Sequence, residues 1–402
     1  PGAKPLFRDA GVEIVAGFLE TKVLTAGAHD RVAALIEAEL AAKPAAQPVE
    51  VPFERVVVDE RPPTNPWYKM AGDLNGNGKL DLIVGGSKGP LVWYAWPDWQ
   101  KRQIADGGYN GVRGMTGDID RDGHIDILMG GVVWFRNPGK AQGAWTMHRI
   151  DNVRMHDALL VDLDGDGRLD AVGRDQSAFG KTGNAIYLYR QESPEKWTKR
   201  VLPCPHGEGI QVADLTGNGR PDIVINGRWY ENPGDVIAGD WKEHVYTTAW
   251  THPDAKVELA DLNGNGRLDV VLTPAELAGQ TYKITWYEAP ADPRRGDWTE
   301  HIVVEKLEAV IHSLALGDFN RDGRVDIAYA EMHQGADPDE VVLLLNGGRG
   351  AAWHKQVLST RGSHDLLAVD FEGKGVLDLI GANHGGPYQP LELWRNRFVV
   401  TP

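Results

Sequence analysis

Short apolar runs recur along the chain at a regular interval, and each meets the same kind of polar loop. Ala158–Val161 and Ser313–Gly317 lead into such loops, while Ile223–Ile225 and Val270–Leu272 lead out of them. An aromatic run ending in a turn comes next, as in Trp134–Gly139 (WFRNPG), Trp229–Gly234 (WYENPG) and Trp286–Pro290 (WYEAP). A Trp-x-x-His run follows, at Trp145 to His148, Trp241 to His244 and Trp298 to His301. Runs of four to eight residues bounded by turn signals predict β-strands rather than helices. Each unit therefore holds four short strands.

The polar loops are nine residues long and begin and end with Asp: 73–81, 118–126, 162–170, 214–222, 261–269, 318–326 and 370–378. Successive starts lie 44 to 57 residues apart. Four strands in about 50 residues is the size of one propeller blade. The expected fold is all-β, a seven-bladed β-propeller over residues 51–402. The chain stops after the third strand of the last unit, and Phe53–Glu60 reads as an orphan fourth strand. This N-terminal strand is expected to close the last blade and remove an open edge. Residues 1–50 stand outside the repeat. Ala28–Ala42 carries Val32, Leu35, Ile36 and Leu40 at helical spacing, so one helix and a Pro-rich linker are expected there.

Composition narrows the reading. The 14 Trp, 11 Tyr and 8 Phe among 402 residues supply ample core, which excludes global disorder. A single cysteine, Cys204, permits no intrachain disulfide. The net charge of −15 argues against a nucleic-acid partner. No apolar run approaches the ~20 residues of a membrane helix.

The first six loops set oxygen side chains at positions 1, 3, 5 and 9 around a Gly at position 6, like the first part of an EF-hand loop. Asp118, Asp120, Asp122 and Asp126, and Asp162, Asp164, Asp166 and Asp170, are the richest sets. Asp318, Asn320, Asp322 and Asp326 follow, then Asp73, Asn75, Asn77 and Asp81, and Asp261, Asn263, Asn265 and Asp269. Several structural Ca²⁺ ions are the expected occupants. Metal-free Asx turns are the alternative. In the last loop Lys374 stands at position 5, where its ammonium takes the place of a cation. Weak calcium loops suit millimolar calcium, so a periplasmic or secreted location is expected.

The histidines fall into two sets. His148, His244, His301 and His354 repeat with the blade and read as packing residues. His156, His312 and His364 each precede the first loop Asp by six residues, and Glu208 holds that place in the fourth unit. They are expected at one mouth of the central channel, opposite the Asp loops. His206, His252, His333 and His384 are expected on the same face, with Arg174, Arg228, Glu276, Glu331 and Tyr388 from second-to-third strand loops and Tyr68, Tyr109, Arg113 and Arg154 from inner-strand starts. Imidazoles and a carboxylate from facing blades suit Zn²⁺, Mn²⁺ or another divalent ion. A hydrated polar channel mouth is the alternative.

The Asp loops and W-Y-E-N-P strands resemble the FG-GAP/VCBS family of calcium-binding propellers over residues 53–400. Residues 209–214 and 229–233 are similar to the propeller of aldos-2-ulose dehydratase, and related propellers occur among polysaccharide lyases. That resemblance implies a carbohydrate-active lyase or dehydratase working by metal-assisted β-elimination on an anionic or keto-sugar. His156, Glu208, His312 and His364 are then the expected pocket ligands. His206, His252 and Tyr388 are expected as acid–base groups, and Arg174, Arg228, Arg113, His333 and His384 as substrate contacts. A non-catalytic carbohydrate- or protein-binding propeller is the rival reading.

Overall fold

The structure is a computed structural model that describes residues 49–140, 143–175 and 184–399. The expected helix over 28–42 lies outside these residues. All regular structure among the described residues is β, in seven antiparallel four-stranded sheets.

The blades follow in chain order. Their innermost strands are Pro66–Gly72, Met115–Gly117, Met155–Val161, Gln211–Ala213, Ala255–Ala260, Ser313–Gly317 and His364–Val369. The seventh blade is completed by the N-terminal strand Phe53–Asp59, which pairs antiparallel with Leu391–Asn396. The sheet order thus brings the two ends of the described chain together, as the orphan strand implied.

The sequence pattern follows from how the blades pack. The second and third strands of a blade face neighbouring blades on both sides, so they read as continuous apolar runs. Asp81–Gly86 and Val341–Asn346 are buried at every position. Outer strands alternate and carry charge, as in Gln100–Ala105. One hydrophobic cluster fills each of the seven seams between neighbouring blades. The seam joining blades 1 and 7 packs Leu82, Val84 and Tyr94 against Ile380, Leu391 and Leu393, which closes the ring.

Three of the four outer-strand histidines pack on tryptophans, and the fourth, His354, lies 3.4 Å from Glu50. His148, His244 and His301 lie flat on Trp134, Trp229 and Trp286 of the adjacent strand, with ring centroids 4.0 to 4.3 Å apart.

The Asp loops carry a second structural device. The ninth-position Asp is buried and accepts backbone N–H bonds. Asp126 Oδ2 accepts from Ile119 N at 3.0 Å and Oδ1 from Asn137 N at 2.8 Å. Asn137 Nδ2 donates to Leu74 O of the preceding blade at 3.0 Å. Asn232, Asn346 and Asn396 repeat this reach to Leu163, Leu262 and Phe319, and Gln191 makes it to Ile119. The Asn of the aromatic-run turn is therefore an interblade clamp as well as a turn residue.

Candidate metal centre at the channel mouth

The inner strands start at the mouth opposite the Asp loops, so equal spacing from those loops places residues at one height. His156 is the second residue of its strand, His364 the first of its own, and His312 immediately precedes Ser313–Gly317. Three blades thereby aim imidazoles at the axis. The register slips between Met155 and Ala158 and again between His364 and Leu367. Such bulges break the alternation of side chains and re-aim them. They let His156 and the adjacent Asp157 meet at Nδ1···Oδ2 2.9 Å.

Glu208 reaches the axis from a tight loop. Gly207 and Gly209 adopt φ of 143° and 85°, and a Cβ on either would stand 2.1 Å from a carbonyl of blade 5. Only glycine lets the loop sit this close. Arg174 holds it in place. Its guanidinium donates to Pro205 O, Glu208 O, Gly209 O and Asn226 Oδ1 at 2.7 to 3.1 Å.

These elements converge on one point. His156 Nε2 lies 3.0 Å from His312 Nε2 and 3.1 Å from Glu208 Oε2. His312 Nε2 lies 3.6 Å from Glu208 Oε1 and 3.6 Å from Glu276 Oε1. His156, Glu208 and His312 are all buried. Bonds of ~2.0–2.2 Å from a divalent ion hold its ligand atoms about 3.0–3.5 Å apart. The observed spacings match that cage. Asp157 behind His156 is the carboxylate that orients a ligating imidazole. The donor set therefore fits Zn²⁺ or a similar ion. His364 stacks on His312 at 4.4 Å, with ring planes within 8°. His384 and then His333 continue the row, each 4.7 Å from the ring before it.

The electrostatics follow from burial and neighbours. Burial opposes charge on His156, but Glu208 and Asp157 outweigh it and hold its pKa up at about 9. Burial pushes Glu208 up to about 8. Burial lowers His312 and His364 well below the usual imidazole range and His384 to about 4, so these rings are neutral.

A buried ionic layer floors the centre. Lys256 Nζ lies 3.0 Å from Asp365 Oδ1 and 3.7 Å from Asp157 Oδ1. Above this layer is a cavity of about 220 Å³ lined by Trp67, Val112, Arg154, His156, Glu276, His364 and His384. Beyond the layer a separate cavity of about 330 Å³ is bounded by Lys69, Arg113 and mostly apolar side chains.

Several expected contacts stand elsewhere. Arg174 is spent on the Glu208 loop. Arg113 pairs with Glu258 at 3.1 Å on the far side of the floor. Arg228 pairs across its sheet with Glu243. Tyr388 bonds Glu392 and Arg55 on blade 7, outside the cavity lining. His252 is buried with Nδ1 2.6 Å from Asp254 O, and Asp254 also feels the charge of His206 and His156. His333 lies against Gly385 and Gly386 at the end of the histidine row.

Asp157, Lys256, Asp365 and Trp67 were absent from the expected set, whereas Glu276 and Arg154 line the cavity at the mouth where their positions in the repeat placed them. Glu276 follows the second strand of blade 5 with φ of 73°, a costly conformation for a side chain of this kind. The bonds Ala275 N to Asp254 O and Leu277 N to Ala309 O pin it on both sides. Its place in the loop after a second strand put it on this face in the sequence, and the positive φ turns it into the cavity.

In the loops, Asp118, Asp120 and Asp122 cluster, as do Asp162, Asp164 and Asp170. Arg136 lies 2.6 Å from Asp120 and 3.1 Å from Asp122. In the last loop Lys374 pairs with Glu372 at position 3.

The sequence matches the FG-GAP-like repeat at residues 73–129, 162–225 and 261–329. No curated protein matches it significantly. The fold is similar to BBS1N in its complex with ARL6DN, at 11% identity and TM-score 0.54, covering 88% of this chain and 99% of that one. It is similar to YCF48 bound to D1 peptide, at 12% identity and TM-score 0.52, covering 88% and 98%. Rhamnogalacturonan lyase YesW aligns at 12% identity and TM-score 0.46, covering 87% and 75%. At these identities the likeness is one of fold alone. The chain is a seven-bladed β-propeller carrying FG-GAP-like repeats.

Proposed function

We propose that the chain is a carbohydrate-active lyase or dehydratase whose reaction takes place in the cavity above the histidine centre. The observation that carries this reading is the convergence of His156 Nε2, His312 Nε2 and Glu208, with Asp157 bound to the far side of His156. His156, His312 and Glu208 would hold one divalent ion such as Zn²⁺ or Mn²⁺. Bound there, the ion supplies an electrophile for a substrate carboxylate or ketone oxygen.

The reaction is a β-elimination. A base takes the proton from the carbon beside the carboxylate or ketone. The C–H electron pair becomes the new C=C bond as the neighbouring C–O bond breaks. The departing oxygen keeps that bond's electrons and takes up a proton. Glu276 lines the cavity 3.6 Å from His312 Nε2, and burial raises its pKa, as suits a proton-transfer group. His364, expected as a further ligand, groups with Glu276 and His312 with ligand atoms within 4.8 Å of one another, and His384 lines the same cavity. His206 and His252 stand around Asp254 and receive no proton-transfer role.

The Asp loops of blades 1, 2, 3, 5 and 6 are proposed as structural Ca²⁺ sites, consistent with an extracytoplasmic home. Metal content per chain, measured by mass spectrometry after dialysis, tests the centre. It is paired with unsaturated-product assays on polyuronates and keto-sugars. Calcium plus about one transition-metal ion is expected, with turnover abolished in His312→Ala combined with His364→Ala. Calcium alone, with no product from any of these substrates, would replace this reading with a non-catalytic binding propeller.

A further inference from the structure

The geometry points to a one-ring sugar-acid subsite in the cavity above the histidine centre, with Arg154 as its carboxylate clamp and Trp67 as its ring platform. This rests on the carbohydrate reading above and narrows it to a substrate class and a mode of entry.

The argument begins with the arginines. Of the four arginines that the sequence put at this mouth, three are committed. Arg174 has four protein acceptors, Arg113 has Glu258 and Arg228 has Glu243. Arg154 makes no ion pair among the described residues, and its Nε is buried without a protein hydrogen-bond partner. It lines the same cavity as His156 and Glu276. A guanidinium offers a planar fork of donors that matches a carboxylate. Arg154 is half-buried, so the donors other than Nε stay open to a ligand that enters the cavity.

Trp67 supplies the second observation. It lines the same cavity, and its Nε1 is likewise buried without a protein partner. An indole offers an apolar face for the C–H face of a pyranose and one N–H donor for a ring hydroxyl. A lone anion site needs no such platform, and a neutral-sugar site needs no free guanidinium. Together they fit a uronic acid.

The depth of the cavity sets how that ring enters. Asp157, Lys256 and Asp365 are buried and close the channel beneath the centre. The cavity of about 220 Å³ shares no lining residue with the cavity beyond the ionic layer, so we infer that it is closed at its base and that a polymer does not thread through it. The ring that occupies it is a free sugar acid or the terminal residue of a chain.

Calorimetric titration of the full chain with D-galacturonate and D-glucuronate, against D-galactose and D-glucose, tests this. One uronate is expected to bind at least about tenfold tighter than its neutral counterpart. Arg154→Met should erase that discrimination by weakening the uronate alone, ~10–100-fold, and Arg154→Lys should restore part of it. Trp67→Ala should weaken acid and neutral sugar alike. Circular dichroism and melting temperature establish that each variant is folded. Equal binding of acid and neutral sugar by the unaltered protein, or unchanged discrimination in Arg154→Met, overturns the subsite. A galacturonate trimer tests entry. One ring's worth of affinity and release only from a chain end support the blind pocket, while internal cleavage overturns it. Uronate binding without elimination would sink the lyase reading and leave the subsite standing.

Discussion

His312 Nε2 faces His156 Nε2 across 3.0 Å, inside a shell where both rings are buried. Two imidazole lone pairs pointed at each other at that distance repel, so a proton or a cation must lie between them. His156 is the proton carrier when no cation is present. Burial works against its charge, but Glu208 and Asp157 hold its pKa up at about 9. Metal binding therefore has to displace a proton.

Affinity of the centre for Zn²⁺ should accordingly rise with pH. Below about 9 His156 is protonated without metal, so each unit of pH lost costs about tenfold in affinity per proton displaced. Competition titrations from about pH 6 to about pH 8 measure this slope. A flat profile would show that His156 does not ligate.

Asp157→Asn keeps the volume behind His156 and removes the charge that orients it. Metal affinity should fall by about 10–100-fold. Lys256 keeps Asp365 as its partner at 3.0 Å, so the fold should survive. Chelator competition reads the first effect and thermal melting the second. Full affinity in the variant would mean that Asp157 serves only the ionic floor.

The interblade clamps should be worth measurable stability. Asn232 is buried and donates to Leu163 O and Pro221 O at 2.9 Å each. Asn232→Ala leaves those carbonyls without their donor and should cost about 1–3 kcal/mol. Urea unfolding with the loops saturated in calcium measures it. Blades 1 and 5 place Trp96 and Ala289 where the other five blades have Asn or Gln, so their seams have no such clamp from that position.

The Asp loops predict an inverted pH dependence of stability in chelator. Burial outweighs the backbone N–H bonds at Asp126, Asp170, Asp269 and Asp326 and lifts each pKa to about 7. Asp81, Asp222 and Asp378 rise to about 6. An unfolded aspartate titrates near ~3.9, so the folded chain binds more protons between that value and the folded pKa. Stability should be greatest near the low end of this window and fall as pH rises through it. Melting temperatures across the window in EDTA read the trend, and saturating calcium should flatten it. A rise in stability with pH in EDTA would contradict it.

The linear pattern determined the scaffold. Seven Asp-x-x-x-x-Gly loops, four apolar runs per interval and an orphan strand at Phe53 are local features, and closing them into a ring follows from strand count. The height of a residue on the channel was equally legible. Six residues before the loop is a fixed distance along an inner strand, so His156, His312, His364 and Glu208 share one mouth. Partnership was decided only by the tertiary structure. Arg113, Arg154 and Arg174 look alike in the sequence, yet two are consumed by acceptors from other strands and one is left open. Asp157 ought to face away from His156 by alternation, but the bulge at Met155–Ala158 turns both toward the axis. Glu276 enters the cavity because its backbone is held at positive φ by neighbours 22 and 33 residues away in sequence. Spacing along a strand sets blade and height, whereas the direction of a side chain and what satisfies its charge depend on groups that only folding brings near.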